Sequence, residues 1–115
     1  MRFGELLKTK ESEGKEKHVP VIEIDKGKEG GEDTVRVVVG KEVPHPNTVE
    51  HHIEWITLYG VKKGGQVIEL GYGSFVPVYT APNVRFQVKL DEFQLLYAIS
   101  YCNIHGVWEN SVDIG

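Results

Sequence analysis

Residues 84–90 read VRFQVKL and residues 34–39 read TVRVVV. Apolar and polar side chains largely alternate along both stretches, so successive side chains point to opposite faces of an extended backbone. This period of two predicts two β-strands, each with one face toward a core and one toward water. Short runs rich in Val, Ile, Tyr and Phe, separated by Gly, Pro, Asn and Asp, indicate further strands and turns. The seven predicted runs are 19–25, 34–40, 52–61, 66–71, 75–80 taken with 84–90, 94–102, and 107–114.

Helical spacing of apolar residues is not sustained over three turns anywhere in the sequence, which disfavours parallel α/β folds because these need crossover helices. We therefore predict an all-β fold, an immunoglobulin-like antiparallel β-sandwich of about seven strands without the paired cysteines of antibody domains. The 115 residues fit a single domain, residues 1–115, in which about residues 1–17 form a polar surface arm. Within that arm Phe3, Leu6 and Leu7 can anchor one short helical turn.

The charge balance limits the partners of the chain. Thirteen Lys and Arg against seventeen Asp and Glu give a net charge of −4. This sign is wrong for binding nucleic acid or an anionic membrane, although local lysines can still attract a small anion. No run approaches the roughly 20 apolar residues that cross a bilayer, and the first residues lack the apolar core of a secretion signal. We expect a cytoplasmic protein, and its one cysteine rules out an internal disulfide.

Histidines carry the clearest chemical signal, because several of the five lie in or beside segments that connect strands. His18 lies between the polar arm and the first predicted run, and His105 follows the sixth. His45 stands between Pro44 and Pro46, which restrict the backbone and present the imidazole on a stiff turn. Binding groups concentrate in loops that a rigid scaffold holds. Each of these histidines, taken alone, is equally well explained as an incidental surface residue.

Two further features narrow the candidate site. His51 and His52 are consecutive, so their side chains point to opposite faces where a strand begins. We choose His51 for the site and expect His52 to face solvent or to pack. Cys102 and His105 are three positions apart where a strand gives way to a loop, a spacing that lets both bind one metal. Alone, this pair also fits a buried structural cysteine, or a catalytic cysteine with His105 as its base.

Four imidazoles and one sulfur form the candidate ligand set, and this composition narrows the choice of metal. Structural zinc prefers four ligands and is usually richer in thiolate. Blue copper uses a weak axial methionine, whereas the only methionine here is Met1. Four nitrogens and one sulfur suit an intermediate transition metal such as iron, and five protein ligands leave one octahedral position for a small molecule.

The candidate ligands stand in four motifs: EKHVPVI at 16–22, GKEVPHPN at 40–47, EHHI at 50–53 and SYCNIHGVWEN at 100–110. These motifs resemble those of the superoxide reductases of the neelaredoxin and desulfoferrodoxin group. The resemblance is specific, because every ligand-bearing motif of the family is present, in order and at compatible spacing. The two-iron members carry a further domain with four cysteines, and this chain has one cysteine. It therefore resembles the one-iron neelaredoxin type.

The resemblance implies a mononuclear iron that changes between Fe2+ and Fe3+. The implied ligands are His18, His45, His51 and His105 in the equatorial plane and the Cys102 thiolate on the axis. In the ferric state only, Glu16 can occupy the opposite axial position. Lys17, its neighbour, is a cation close to the open position that can draw in an anion.

The implied reaction is the one-electron reduction of superoxide to hydrogen peroxide, with two protons taken up and no dioxygen formed. The resemblance implies a rubredoxin-like electron donor and a homo-oligomer, with a tetramer favoured. The same ligands would also serve a non-catalytic electron carrier or a metal-storage protein. An adhesion-like binding module with incidental histidines is the third interpretation.

Overall fold

The computed structural model describes residues 1–12, 17–27 and 32–114. Within these ranges the chain forms seven β-strands, two single turns of 3-10 helix at Phe3–Glu5 and Lys10–Ser12, and no α-helix. The strands are β1 Val21–Asp25, β2 Asp33–Val38, β3 Ile53–Lys62, β4 Val67–Ser74, β5 Asn83–Val88, β6 Phe93–Cys102 and β7 Gly106–Asp113. None of the helices in these ranges is long and apolar enough to cross a membrane.

The strands form two antiparallel sheets. One has three strands in the order β1-β2-β5, and the other has four in the order β4-β3-β6-β7. The chain passes from one sheet to the other after β2, after β4 and after β5. The predicted all-β sandwich of about seven antiparallel strands is therefore confirmed, whereas the closer likeness to immunoglobulin domains stays a prediction.

The core lies between the two sheets, and the alternation of side chains explains it. Val35 and Val37 of β2 are fully buried in the same cluster as Leu58 of β3 and Leu96 of β6. Arg36, between the two valines, is only half-buried and reaches outward to Glu23 of β1. Burying an aliphatic side chain of this size stabilises the fold by roughly 1.5–3 kcal/mol. The period of two read from the sequence thus selects the core face of β2.

Residues 75–80 do not form a strand, so this part of the strand prediction was wrong. They make turns where the chain crosses from β4 to β5. Val78 has φ of 76°, a left-handed conformation that is rare for a β-branched residue. Asn47 holds this bend, because its Oδ1 accepts from the Val78 N–H at 2.9 Å and its Nδ2 donates to the Thr80 carbonyl at 3.3 Å. The apolar run was misread because most of its side chains are exposed at this crossing.

The N-terminal arm packs along the edge of the four-stranded sheet. Phe3–Glu5 forms the short helical turn that the sequence predicted. Lys8 then lies beside Trp108 of β7 in an isolated parallel bridge. The first described part of the arm is therefore attached to the strand that follows His105.

Candidate metal centre

The predicted ligands come from separate parts of the chain and lie at one end of the sandwich. His18 precedes β1, His45 and His51 lie between β2 and β3, Cys102 ends β6, and His105 lies between β6 and β7. We call residues 39–52 the long connection and residues 103–105 the short connection. Ile53 opens β3 and pairs with Cys102, so the sheet register places the end of the long connection beside the short one.

The structure brings the donor atoms of four predicted ligands together. One donor atom from each of His18, His51, Cys102 and His105 lies within 4.8 Å of the other three. His18 Nε2 and His105 Nδ1 are 3.1 Å apart, although 87 positions separate the two residues in sequence. The Cys102 sulfur is 3.8 Å from the same His105 nitrogen. These contacts join the start of β1 to the end of β6.

His45 extends this group to five residues. Its Nε2 lies 3.5 Å from Cys102 Sγ, and its ring centroid is 4.9 Å from that of His18 and 4.8 Å from that of His51. Its other ring nitrogen, Nδ1, lies 2.7 Å from the Pro46 carbonyl oxygen. Because a carbonyl can only accept, Nδ1 carries the proton in this contact. The lone pair of Nε2 is therefore available on the side of the sulfur.

The spacing and chemistry of these atoms fit a bound metal. Two ligands at about 2.1 Å from one metal and at right angles to each other are roughly 3 Å apart. Within the cluster, the nitrogens of His18 and His105 are 3.1 Å apart. Cys102 is fully buried, whereas His51 and His105 are half-buried. A metal held here would have the sulfur on its buried side, and imidazole with thiolate suits transition metals such as iron.

Backbone contacts hold the sulfur and His18 in place. The His105 N–H donates to Cys102 Sγ at 3.4 Å, so the backbone of the short connection is directed at the sulfur. Ser100, two positions earlier on β6, donates from its hydroxyl to the His18 carbonyl at 2.9 Å. Both predicted ligands are thereby positioned relative to β6.

Asn103 ties the short connection to the long one. Its Oδ1 accepts from the His52 N–H at 2.8 Å, and its Nδ2 donates to the Glu50 carbonyl at 2.9 Å. Its own N–H donates to the His52 carbonyl at 3.2 Å. The His51 N–H donates to the Thr48 carbonyl at 3.2 Å, which closes the turn. Asn103 therefore holds the backbone on both sides of His51.

His52 lies outside the cluster of donor atoms. It is 7% exposed, and its Nδ1 lies 3.0 Å from the Thr48 carbonyl oxygen. Its Nε2 is 3.6 Å from a carboxylate oxygen of Glu54. Of the two predicted alternatives, exposure to solvent and packing, the structure has packing. The side chain closes the same turn that presents His51.

Gly40 determines where the long connection starts. Its φ is +82°, and a Cβ built on it would lie 2.6 Å from the backbone nitrogen of His45 and 3.1 Å from the Val43 carbonyl oxygen. A residue with a side chain would therefore have to move the His45 backbone and adopt a strained conformation. Glycine at this position lets the Pro44–His45–Pro46 turn fold back over the end of β2.

An ion-pair group fixes the next residue of the long connection. Lys41 pairs with Glu23 of β1, and Arg36 of β2 pairs with the same carboxylate at 2.6 Å. Hydrogen bonds from Lys41 and then Arg36 hold the pKa of Glu23 below its usual range. The long connection is thereby attached to the three-stranded sheet.

Lys17 is half-buried and lines a cavity of about 440 Å³. Lys10 and Lys41 line the same cavity, together with Val19, which follows His18. With one carboxylate, Glu42, among them, the three lysines still leave the lining positively charged, which attracts a small anion whatever the net charge of the chain. Glu16 lies outside the described residues, so its predicted place at the metal stays a prediction.

Two residues at the site were missed by the sequence analysis. Asn103 could have been found from its position directly after Cys102, because a polar side chain there can reach the neighbouring loop. Lys8 gave no signal, since it is one of several lysines in the polar arm. Its Nζ donates to the His105 carbonyl at 3.2 Å and lies 5.4 Å from the ring centroid of Trp108.

Comparison with known proteins gives consistent matches. The sequence model of the family described as desulfoferrodoxin matches residues 10–111. The superoxide reductase of Pyrococcus horikoshii is 50% identical over 103 residues, which cover 86% of this chain and 88% of that protein. The neelaredoxin of Megalodesulfovibrio gigas is 43% identical over 111 residues, covering 84% of this chain and 85% of that protein. A crystal structure of a superoxide reductase in the oxidised state superposes with a TM-score of 0.88 at 42% identity, covering 99% of this chain and 100% of the other.

Proposed function

Because this chain belongs to the desulfoferrodoxin family, we propose that it is a superoxide reductase with one mononuclear non-haem iron. It is an oxidoreductase, as are its relatives named superoxide reductase. In the proposed reaction one superoxide takes up one electron and two protons and becomes hydrogen peroxide. A reduced donor protein supplies the electron, so no dioxygen is released.

The proposal is carried by one observation, the convergence of donor atoms from His18, His51, Cys102 and His105 within 4.8 Å of one another. We assign these four residues as iron ligands. His45 is the fifth, since its Nε2 lies 3.5 Å from Cys102 Sγ. Bound iron would supply a one-electron couple between Fe2+ and Fe3+, which matches the one-electron reduction of superoxide.

The buried residues prepare the donor atoms for this role. Cys102 accepts the His105 N–H at 3.4 Å, which stabilises the negative charge of a thiolate inside the protein. The hydrogen bond from His45 Nδ1 to the Pro46 carbonyl fixes the ring orientation and makes Nε2 a better donor. These contacts keep two ligands ready for the metal on the side away from solvent.

Lys17 and Glu16 are assigned to the substrate. Lys17, beside the cavity next to Val19, attracts superoxide and stabilises negative charge that develops on its oxygen atoms. Glu16 is proposed as a ligand in the ferric state only, and this assignment rests on its place in the EKH motif. An ionised Glu16 near the metal would repel the substrate, so it has to withdraw during turnover.

Anaerobic loading with Fe2+ followed by a pulse of superoxide tests the function. We expect about one iron per chain, faster loss of superoxide, one hydrogen peroxide per superoxide and no dioxygen. Metal-free protein is the control and should leave the decay of superoxide unchanged. Release of dioxygen would indicate a dismutase instead. Iron uptake with an unchanged superoxide lifetime would favour the electron carrier or storage protein.

A second experiment tests the role of Lys17. Lys17→Ala should slow the second-order reaction with superoxide severalfold at low ionic strength and weaken its dependence on salt. Lys63→Ala, just beyond the far end of β3, removes the same charge away from the site and should change neither quantity. Equal rates for the two variants at low salt would contradict the assignment.

We also propose a homo-oligomer because β6 is apolar on both faces, and a tetramer is favoured on the resemblance to the superoxide reductases. Its buried residues alternate with half-buried ones that point to the outer face of the sheet: Leu95, Tyr97, Ile99 and Tyr101. Glu109 of β7, opposite Ile99, has a buried carboxylate oxygen without a hydrogen-bond partner in the described ranges, and burial raises its pKa. A second copy of the chain would cover such a face. Light scattering of the purified protein measures the oligomeric state, and a monomer would contradict the proposal.

The proposed function also includes an electron donor and a cellular location. A rubredoxin-like protein is proposed as donor on the resemblance to the superoxide reductases, and it fits a reaction that needs one electron at a time. The net charge of −4 favours neither nucleic acid nor an anionic membrane as a partner. A cytoplasmic location stays a prediction from composition.

A further inference from the structure

We infer that Lys8 is a positioning residue of the metal centre whose fixed positive charge raises the reduction potential of the bound metal. The inference rests on the proposed function, because it requires a redox-active metal in the cluster. Lys8 precedes residues 10–111, the part of the chain that the family model matches. Its role is therefore argued from its contacts in this structure.

Backbone hydrogen bonds fix Lys8 although its side chain is exposed. Its N–H donates to the Val107 carbonyl at 3.1 Å, and its carbonyl accepts the Glu109 N–H at 2.9 Å. The two contacts lie on either side of Trp108, which is 4% exposed. Lys8 thus has a defined place beside Trp108 of β7, three positions beyond the end of the short connection.

The ammonium group of Lys8 has two contacts that lead to proposed ligands. It donates to the carbonyl of His105 itself at 3.2 Å. It also lies 5.4 Å from the ring centroid of Trp108, within the range of a cation–π interaction. Trp108 in turn stacks on His18, with centroids 4.6 Å apart and an angle of 10° between the rings. The charge is therefore hydrogen-bonded to the backbone of one proposed ligand and linked to a second through the indole ring of Trp108.

This placement predicts an effect on the metal more than on the approach of substrate. Lys8 does not line the cavity that Lys10, Lys17 and Lys41 share. Within residues 1–12, 17–27 and 32–114, no carboxylate forms an ion pair with its Nζ, so its charge is not neutralised there. The reduced metal carries one positive charge fewer than the oxidised metal. A nearby cation therefore favours the reduced state and raises the potential.

Redox titration of the iron-loaded protein, followed by visible absorption, tests the inference. Lys8→Met should lower the ratio of reduced to oxidised iron at a fixed potential by about threefold, a modest effect because the group is exposed and screened by salt. Lys8→Arg keeps the charge and should match the wild type. Lys63→Met makes the same change in net charge beyond the far end of β3 and should leave the ratio unchanged.

Two outcomes would overturn the inference. One is a Lys8→Met shift no larger than that of Lys63→Met. The other is a shift in Lys8→Arg equal to that in Lys8→Met, which would show that the charge of Lys8 does not set the reduction potential. Failure of the proposed function looks different: the iron-loaded wild type would titrate normally but leave the lifetime of superoxide unchanged. A wild type that takes up no iron would overturn both proposals.

Discussion

The long and the short connection bring proposed ligands to the same site by different means. Strand pairing fixes the short connection, because β6 and β7 remain in register up to the pair of Cys102 and Gly106. The long connection, residues 39–52, contains no strand and depends on contacts from elsewhere in the chain. Asn103 holds it near His51, and Glu23 holds it near its start. The sheet therefore positions the proposed ligands at and beside the short connection, His105 and Cys102, whereas those on the long connection can be loosened without disturbing the strands.

Removing the sulfur beside the short connection should have the largest effect. Cys102→Ser should abolish the thiolate-to-iron charge-transfer band of the oxidised protein, because only the sulfur can give rise to it. Visible absorption of the iron-loaded variant measures the band, with bound iron determined separately. Since the sheet positions this residue, circular dichroism should show unchanged strand content. A band that survives the substitution would show that the sulfur is not a ligand.

The start of the long connection should be the next most sensitive point. Gly40→Ala places a Cβ within 2.6 Å of the His45 nitrogen at a φ of +82°, so we expect a loss of about 3 kcal/mol in the free energy of unfolding. Gly64→Ala is the matched control, because a Cβ there meets nothing within 4 Å. Chemical denaturation of both variants measures the difference. Equal stability would contradict the close approach at Gly40.

Cutting the link between the two connections should come third. Asn103→Ala removes both side-chain hydrogen bonds to the backbone around His51 and should destabilise the protein by about 1–3 kcal/mol. It should also weaken iron binding by about tenfold, because the ligand is no longer held in place. Asn103→Asp keeps the acceptor for the His52 N–H and should recover part of the loss. Competition with a chelator measures iron affinity. An unchanged affinity in Asn103→Ala would contradict the role of Asn103 in holding the long connection near His51.

The smallest effect should come from the ion pair at Lys41. The pKa of Glu23 is lowered in the folded protein, so its contribution to stability is present above about pH 4.3, the usual value for glutamate. It is lost as the pH falls through the lowered value. Glu23→Gln should therefore be slightly less stable than the wild type at neutral pH and equally stable in strong acid. Thermal unfolding against pH measures this, with Glu69→Gln as control, and a difference that grows on acidification would contradict it.

The sequence predicted most of the fold, because strand alternation is a local property. Val35 and Val37 are buried and Arg36 points outward, as the period of two requires. The error at residues 75–80 has a different origin. Val78 and its neighbours are apolar but exposed, and a crossing between sheets depends on a partner such as Asn47 that lies far away in sequence.

The sequence predicted which side chains form the candidate site, but not the contacts that hold these side chains in place. His18, His45, His51, Cys102 and His105 stand in recognisable motifs, and the structure brings them together. The contact of Lys8 with His105 spans 97 positions and depends on how the arm docks on β7. No local pattern records such a contact. The same holds for the hydrogen bond from Asn103 to the Glu50 carbonyl, 53 positions away.

The docked arm has a consequence for how this protein behaves at high concentration. β7 is the last strand of its sheet, and beside Trp108 its outward main-chain groups bond to Lys8. A chain shortened past Lys8 would present the Val107 carbonyl and the Glu109 amide as open positions at a sheet margin. Unpaired margins recruit strands from other molecules. The N-terminal residues thus cover the edge of this sheet. A chain that lacks them should self-associate as its concentration is raised.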